Sequence, residues 1–193
     1  CSGQGSPTVV LDTGLGMPSA SWVLVQPVVA QWTRVCAYDR AGYGFSDPGP
    51  TPRTSQRIVE ELHTLLDRAG ERPPYVLAGH SFGGFTIRPF ARRFPDQVAG
   101  LVLIDASHED FATRLHEADA QTRQQQRRQM QRQIELGLVG LRFGLLRLAP
   151  ALAGWDTTAF TFRHLTPQAM QEMLALFLTP KAIYVAGDEL DVF

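Results

Sequence analysis

Five short runs of this chain are continuously apolar, with little alternation between hydrophobic and polar positions. They occupy residues 8–11, 34–38, 75–78, 101–104 and 182–185. A strand with one solvated face alternates, whereas a strand covered on both faces reads as an unbroken hydrophobic run. We therefore predict five buried strands, separated by turns and by segments of a different periodicity.

Helical periodicity separates most of the predicted strands. The clearest helix begins at Thr54 or Ser55, either of which can cap it, and ends at Gly70, which tolerates the left-handed conformation of a helix stop. Its apolar positions recur at helical spacing and are Ile58, Leu62, Leu65, Leu66 and Ala69. Helical segments around Pro27 and Pro89 are expected to be short or bent, because proline lacks a backbone N–H and clashes with the preceding turn.

Alternation of strands and helices up to about residue 106 predicts an α/β fold, with a mostly parallel sheet flanked by helices. In such sheets the ligand site lies at the carboxyl ends of the strands. From about residue 107 to residue 179 the pattern changes to helices without strands. Functional side chains are therefore expected in the segments that directly follow the strands.

The sequence Gly-His-Ser-Phe-Gly at residues 79–83 follows the third predicted strand directly and precedes a helical pattern. This context is what a nucleophile elbow requires, a sharp strand-to-helix turn that lifts a serine hydroxyl above the sheet edge. Ser81 then takes a strained backbone conformation, and Gly79 and Gly83 avoid the clash that Cβ atoms would cause. Ser81 is therefore the predicted nucleophile. The alternative is a glycine-rich connection with an incidental serine.

Two other motifs accompany the elbow sequence. Residues 8–16 read T-V-V-L-D-T-G-L-G, and residues 39–47 read D-R-A-G-Y-G-F-S-D. In this order, the three motifs resemble the oxyanion loop, the D-x-x-G-x-G-x-S-D loop and the elbow of a serine hydrolase of the α/β-hydrolase superfamily, over about residues 8–105. The resemblance implies three parts: a hydrolase core at residues 1–106, a helical cap or lid insertion at 107–179, and a core strand with the start of an acid loop at 180–193.

The resemblance also implies the remaining parts of a catalytic site. The family's oxyanion hole uses the backbone N–H of the residue after the serine and one from the earlier loop, which here are Phe82 and Leu15. Asp191 is the first candidate for the acid and Asp188 the second, although the carboxylate is displaced by one position from the family's usual spacing. Asp105 is the third candidate, since some relatives place the acid there. The alternative is that Asp105 only caps the end of its strand.

A general base is missing from its usual place. The family has its histidine after the acid, and no histidine follows Asp191. His108, three residues past a predicted strand, and His164, in the predicted cap, are candidates for a base or a site-lining side chain. The chain begins with Cys1 and lacks two early strands of the family. We therefore expect a fragment truncated at both ends, with the catalytic histidine beyond Phe193.

Composition narrows the classes of function. A net charge of −1 gives no electrostatic reason to expect nucleic acid as a partner, and 44% hydrophobic residues are typical of a globular domain. The sequence contains no metal-ligand cluster, dinucleotide fingerprint or phosphate loop, so we expect no metal and no cofactor. The longest apolar stretch, residues 136–155, is interrupted by Arg142 and Arg147, so no membrane span is predicted.

The sequence also leads to expectations about the cellular location and about the two cysteines. No signal segment is visible, so the expected location is the cytoplasm. Cys36 lies in a predicted strand, where a small buried thiol is the default. Two cysteines cannot build a disulfide framework, and they indicate no redox compartment.

The predicted function is hydrolysis of a small acyl substrate, an ester or an amide, through an acyl-Ser81 intermediate. Acyltransferases, peptidases and cofactor-free haloperoxidases of the superfamily use the same machinery, and they stay open as alternatives. A non-catalytic binding protein of the same fold is the second hypothesis. Superfamily members with an aspartate nucleophile are disfavoured, because residue 81 is a serine. The oligomeric state is not predicted.

Overall fold

A four-stranded parallel sheet is the centre of the structure. The computed structural model describes residues 1–108, 132, 166–177 and 179–190. The strands are β1 (Thr8–Asp12), β2 (Val35–Ala37), β3 (Tyr75–His80) and β4 (Val98–Ile104), in the order β2-β1-β3-β4 across the sheet. Each pairing in this sheet is parallel, which confirms the predicted parallel sheet.

Helices flank the sheet. Within the described residues they are α1 (Gln26–Val29), α2 (Ser55–Arg68), α3 (Gly84–Arg93), α4 (Pro167–Phe177) and α5 (Pro180–Leu190). Short 3-10 turns lie at Ser19–Trp22, Ser81–Gly83 and Pro95–Gln97. None of these helices has the length and apolarity needed to cross a bilayer.

The core has one layer on each face of the sheet. On one face Val10 and Leu77 pack with α2 and α3, in a cluster completed by Val59, Leu62, Leu66, Tyr75, Ile87 and Phe90. On the other face Leu11 and Ala78 pack with Trp22 and Val35. Because successive residues of a strand point to opposite faces, the unbroken apolar runs of β1 and β3 serve both layers.

Helix α2 has the ends that the sequence predicts. The Thr54 hydroxyl accepts a hydrogen bond from the Arg57 N–H at 3.2 Å, and Gly70 has a φ of 72°. Helix α1 is short and has Pro27 in its first turn, as expected. Helix α3 continues through Pro89, and the bend expected there stays a prediction.

Strand β4 is exposed, contrary to the prediction of a buried strand at residues 101–104. Leu103 is 50% exposed, whereas Leu77 of the central strand is 0% exposed. In the part of the chain that the structure describes, β4 pairs with β3 along one edge and with no strand along the other. The prediction was right about the strand and wrong about its burial among the described residues.

Residues 182–185 form part of helix α5, so the core strand predicted there, and assigned to the range 180–193, was wrong. The buried side chains recur at helical spacing and are Ala182, Val185 and Glu189. Tyr184 is 66% exposed on the opposite side. Isoleucine, tyrosine and valine favour strands in general, but tertiary packing of one helical face overrides that preference here.

Helix α5 has a start signal that the sequence contains. The Thr179 hydroxyl accepts a hydrogen bond from the Ala182 N–H at 3.2 Å, and Pro180 stands at the first helical position. Threonine before a helix and proline at its first position are typical of helix N-termini. The division into a core at 1–106 and a cap at 107–179 stays a prediction, because much of the second range lies outside the described residues.

The two cysteines form a disulfide, so the prediction of a free thiol at Cys36 was wrong. The sulfur atoms of Cys1 and Cys36 are 2.07 Å apart. Ser2 pairs with Val35 as an isolated antiparallel bridge, with N–H to carbonyl distances of 2.8 and 2.9 Å. This pairing carries the first residue back to β2 and places its thiol beside Cys36.

A partly exposed salt bridge lies close to the disulfide, with the Glu71 side chain buried and the Arg34 side chain 37% exposed. The Arg34 guanidinium donates two hydrogen bonds to the Glu71 carboxylate, at 2.7 and 2.6 Å. These hydrogen bonds lower the pKa of Glu71 more than its burial raises it. The Glu71 carboxylate therefore stays ionised to lower pH in the folded protein than in the unfolded chain.

Removing the disulfide should destabilise the protein. The bridge joins residues 35 apart in sequence, and the chain-entropy argument gives a loss of up to roughly 3–4 kcal/mol for Cys1→Ser. The midpoint of urea unfolding, followed by tryptophan fluorescence, measures the loss. As a control, dithiothreitol should lower the midpoint of the parent protein and leave that of the variant unchanged. Equal midpoints in parent and variant would contradict the disulfide.

Glu71→Gln should cost about 1–2 kcal/mol of unfolding free energy at pH 7. Because the folded-state pKa of Glu71 is lowered, this contribution is fully present above its ordinary pKa of 4.5 and is lost as the pH falls through the lowered value. Urea unfolding of parent and variant between pH 7 and pH 3.5 measures the difference. Glu60→Gln, in the exposed Glu60–Arg93 pair, is the control and should change stability little. A Glu71→Gln effect that does not vary with pH would contradict the assignment.

Candidate active site

Ser81 stands at the turn between β3 and α3 in a left-handed backbone conformation. Its φ is 49°, and Asp105 is the other described non-glycine residue with positive φ, at 44°. This conformation costs an L-residue roughly 1–2 kcal/mol, so the surrounding structure must hold it. The Ser81 carbonyl accepts a hydrogen bond from the Ser107 N–H at 2.8 Å, which ties the elbow to the segment after β4.

Two glycines of the elbow lie where a Cβ atom would meet neighbouring backbone at very short range. A Cβ atom built on Gly79 would lie 2.9 Å from the carbonyl carbon of Gly83. One built on Gly83 would lie 3.0 Å from the carbonyl oxygen of Asp12, in the strand next to the elbow. Ser81 lies between these two closely packed glycines and is itself half-buried.

The segment after β1, residues 13–16, lies beside the elbow, and we call it the oxyanion loop. A Cβ atom built on Gly14 would lie 3.5 Å from the Cβ of Ser81. The side chains of Leu15 and Phe82 belong to one apolar cluster. The structure thus brings together the two residues whose main-chain N–H groups are predicted to bind an oxyanion, and that role stays a prediction.

The buried Arg40 guanidinium binds the backbone of the oxyanion loop. One terminal nitrogen of its guanidinium donates to the Thr13 carbonyl at 2.7 Å and to the Asp12 carboxylate at 2.6 Å. The other terminal nitrogen donates to the Gly14 carbonyl at 2.9 Å. The Tyr38 hydroxyl donates to the second oxygen of Asp12 at 2.9 Å. The loop is therefore anchored to a buried cation through its own backbone.

Helix α5 supplies a second carboxylate to Arg40. Glu189 is 0% exposed, and its two oxygens accept from the Arg40 guanidinium at 3.3 and 3.4 Å. The Tyr43 hydroxyl donates to the same carboxylate at 2.7 Å. The guanidinium carbon lies 5.0 Å from the centre of the Tyr43 ring and 4.9 Å from that of Phe82.

The buried charges of this cluster fix its protonation. Burial by itself would lower the pKa of Arg40, but the carboxylates of Glu189 and Asp12 outweigh it, and the pKa is raised. Burial, followed by the charge of Asp12, raises the pKa of Tyr38 well above its ordinary value. Burial and then Glu189 likewise raise the pKa of Tyr43. The guanidinium stays charged, and both phenols stay protonated as hydrogen-bond donors.

Comparison with known families fits this geometry. The family model for the alpha/beta hydrolase fold matches residues 7–142. This chain belongs to the alpha/beta hydrolase fold family. The match includes the oxyanion loop, the Asp39–Asp47 motif and the elbow, on which the sequence-based resemblance depends.

Two relatives of this alpha/beta hydrolase match at about one third identity. YqjL, an uncharacterized protein of Bacillus subtilis, is 32% identical over 111 residues, which are 58% of this chain and 44% of its own length. An AB hydrolase superfamily protein of Gibberella zeae is 31% identical over 107 residues, which are 53% of this chain and 33% of its own length. The chain therefore spans less than half the length of these curated relatives.

Solved structures support the alpha/beta hydrolase fold across nearly the whole chain. A thermophilic esterase from Thermogutta terrifontis matches with a TM-score of 0.65 at 24% identity, covering 96% of this chain and 62% of that one. An enol-lactonase from Burkholderia xenovorans matches with a TM-score of 0.65 at 21% identity, covering 99% of this chain and 68% of that one. At these identities the likeness establishes the fold alone.

The acid candidates of this alpha/beta hydrolase lie in different places. Asp105 follows β4 and is exposed, two residues before the Ser107 N–H that binds the elbow. Asp188 lies in α5, where its carboxylate accepts from the Arg53 N–H at 3.0 Å. The strand-and-loop context predicted for Asp188 was therefore wrong. Asp191 lies outside the described residues, and its role as acid stays a prediction.

The identity of the general base for Ser81 also stays a prediction. His108 is exposed and directly follows Ser107, whose N–H binds the Ser81 carbonyl. His164 lies outside the described residues. Between residues 1 and 108 and in the two described C-terminal helices, no histidine or carboxylate forms a hydrogen bond with the Ser81 hydroxyl. The structure brings Ser81, the predicted nucleophile, close to the residues of the predicted donors, and among the described residues it brings no base to hydrogen-bond distance of the Ser81 hydroxyl.

Sequence reasoning missed the cluster of Arg40, Asp12, Tyr38 and Glu189. Arg40 lies within the 39–47 motif and Asp12 at the end of a predicted strand, so their proximity to the site could have been inferred. Glu189 had no such signal, because its segment was predicted as an acid loop that follows a strand, and the structure has it in helix α5.

One group of potential metal-ligand atoms lies outside this cluster, and each of these atoms already has another bonding partner. In the described ranges, ligand atoms of Cys1, Cys36 and Glu71 lie within 4.8 Å of one another. The two sulfurs are bonded to each other, and both Glu71 oxygens are bound by Arg34. This group therefore has no donor atom left for a metal ion.

Gly79→Ala should destabilise the protein by about 1–3 kcal/mol, because the added methyl group would push against the backbone of Gly83. Gly100→Ala is the matched control. It also lies in a strand of the sheet, and a Cβ atom built there meets no atom within 4 Å. Urea midpoints of the two variants measure the difference. Equal stability of the two variants would show that the elbow is not packed as described.

Proposed function

We propose that this alpha/beta hydrolase is a serine hydrolase that cleaves a small ester or amide through an acyl-Ser81 intermediate. The observation that carries the proposal is the left-handed conformation of Ser81 at the end of β3, with a φ of 49°. A binding module has no chemical need for this strain, whereas a nucleophile must project from the sheet edge. The position of the half-buried Ser81 beside the oxyanion loop supports the same conclusion.

The proposed reaction has two halves. The Ser81 oxygen attacks the acyl carbon while a base takes its proton, and the leaving alcohol or amine departs with a proton. Water then attacks the acyl-serine and releases the acid. In each half, the N–H groups of Leu15 and Phe82 stabilise the negative oxygen, and one such donor is worth about 3 kcal/mol in the transition state.

Candidates for the catalytic acid and the general base follow from their position relative to the elbow. Asp105 and His108 flank the segment that is hydrogen-bonded to the elbow, which makes them the described candidates for acid and base. The family order of serine, acid and histidine instead favours Asp191 as the acid. The substrate is a neutral or weakly charged acyl compound, in keeping with the net charge of −1.

Ser81→Ala should abolish labelling by a fluorophosphonate probe, which reacts with activated serines. In the full-length gene product, the adduct should appear on the peptide that contains Ser81 by mass spectrometry. Hydrolysis of p-nitrophenyl acetate should fall at least about a thousandfold in the same variant.

Ser46→Ala is the control for this experiment, because its hydroxyl donates to the Asp39 carbonyl at 2.8 Å and forms no other hydrogen bond with the described residues. It should keep both labelling and turnover. A folded parent protein that the probe does not label would overturn the proposal and favour a non-catalytic binding protein. Full turnover by Ser81→Ala would overturn it as well.

A further inference from the structure

The Arg40 guanidinium contacts the backbone of the oxyanion loop at two successive carbonyls. It donates to Thr13 at 2.7 Å and to Gly14 at 2.9 Å. A peptide unit is planar and trans, so its C=O and the following N–H point in opposite directions. Fixing the Gly14 carbonyl therefore fixes the direction of the Leu15 N–H, which is one of the two proposed oxyanion donors.

The same guanidinium also contacts the other donor residue. Its carbon lies 4.9 Å from the centre of the Phe82 ring, within the range of a cation–π interaction. Phe82 follows the nucleophile directly. One buried side chain thus touches both segments that supply the oxyanion donors.

Helix α5 holds Arg40 in this position. The Glu189 carboxylate spans the Nε atom and one terminal nitrogen, at 3.3 and 3.4 Å, and is itself bound by the Tyr43 hydroxyl at 2.7 Å. Asp12 takes the remaining terminal nitrogen from the opposite side. The planar group is therefore bound along its edges, which restricts its rotation.

Helices α4 and α5 contact the same loops at two further points. A Cβ atom built on Gly16, in the oxyanion loop, would lie 3.3 Å from the ring of Phe177 at the end of α4. A Cβ atom built on Gly42 would clash with the side chain of Val185 in α5. The Glu189–Arg40 contact is therefore part of a packed interface between these helices and the loops at the sheet edge.

We propose that Arg40 is a positioning residue that orients the Leu15 N–H for oxyanion binding, and that Glu189 of α5 holds Arg40 in that role. The proposal deepens the serine hydrolase function and rests on it. A lysine cannot replace Arg40, because one ammonium group lacks the planar set of N–H donors that reaches two carbonyls and two carboxylates at once.

The test compares variants of the full-length gene product. These are Arg40→Met, Arg40→Lys and Glu189→Gln, with Arg53→Met as the matched control. Arg53 is as deeply buried as Arg40 and binds Glu61 through two N–H groups at 2.6 and 2.7 Å. Among the described residues it forms no hydrogen bond with the oxyanion loop. Each variant is assayed for kcat and KM with p-nitrophenyl acetate, for its urea midpoint, and for hydrogen exchange of the amides of residues 13–17.

The expected result separates positioning from stability. Arg40→Met lowers kcat about 10- to 100-fold with KM changed less than about threefold, because a misdirected donor is missed in the transition state. Arg40→Lys does not restore kcat, and Glu189→Gln lowers it by a smaller factor. Arg53→Met loses stability like Arg40→Met, but it keeps kcat within about threefold of the parent value. The amides of residues 13–17 exchange faster in the Arg40 variants alone.

Equal losses of kcat in Arg40→Met and Arg53→Met, or full kcat in Arg40→Lys, would overturn the proposal. If Arg40→Met does not fold, Arg40→Lys and Glu189→Gln decide, and unchanged kcat in both would overturn it. A parent protein without Ser81 labelling defeats the serine hydrolase function separately. Hydrogen exchange then decides alone: faster exchange of residues 13–17 in the Arg40 variants than in Arg53→Met supports positioning, and equal exchange contradicts it.

Discussion

The burial of one positive charge governs how the loops at the carboxyl edge of the sheet are arranged. Arg40 is 2% exposed, and a guanidinium without partners at such a site costs several kcal/mol. Its partners are the Asp12 carboxylate at the end of β1, two carbonyls of the oxyanion loop, and Glu189 of α5. If any one of them moves away, a buried charge or N–H group loses its partner. The strand end, the loop and the distant helix must therefore take their positions together.

Sheet register brings the elbow to the same place. Asp12 pairs with Gly79, and His80 pairs with Ile104, so the loops that follow β1, β3 and β4 begin at one level of the sheet. Parallel strands require this, since their carboxyl ends face the same edge. The strained backbone of Ser81 is then held between β1 and the segment after β4. A rigid edge of this kind suits a reaction whose transition state is stabilised by preorganised donors.

The lateral edge of the sheet that β2 forms is stabilised by a different set of bonds. The Ser2–Val35 bridge and the disulfide between Cys1 and Cys36 cover the outer side of β2, which would otherwise present unpaired backbone groups. Disulfides persist in oxidising compartments and are rare in the cytosol. The disulfide therefore argues against the cytoplasmic location that the sequence led us to expect, and that location stays a prediction.

Local patterns were enough to predict β1, β3, helix α2 with its Thr54 cap, and the strand-to-helix turn at Ser81, because periodicity, caps and glycine spacing act over a few residues. They failed at residues 182–185, where β-branched side chains suggested a strand and one-sided packing made a helix. They could not reveal the disulfide, or the contact between Arg40 and Glu189, which are 149 residues apart. Sequence alone determined which segments could form strands, a helix and an elbow. Only the tertiary structure decided which charges and thiols meet, because those pairings depend on how distant segments pack and not on the residues next to them.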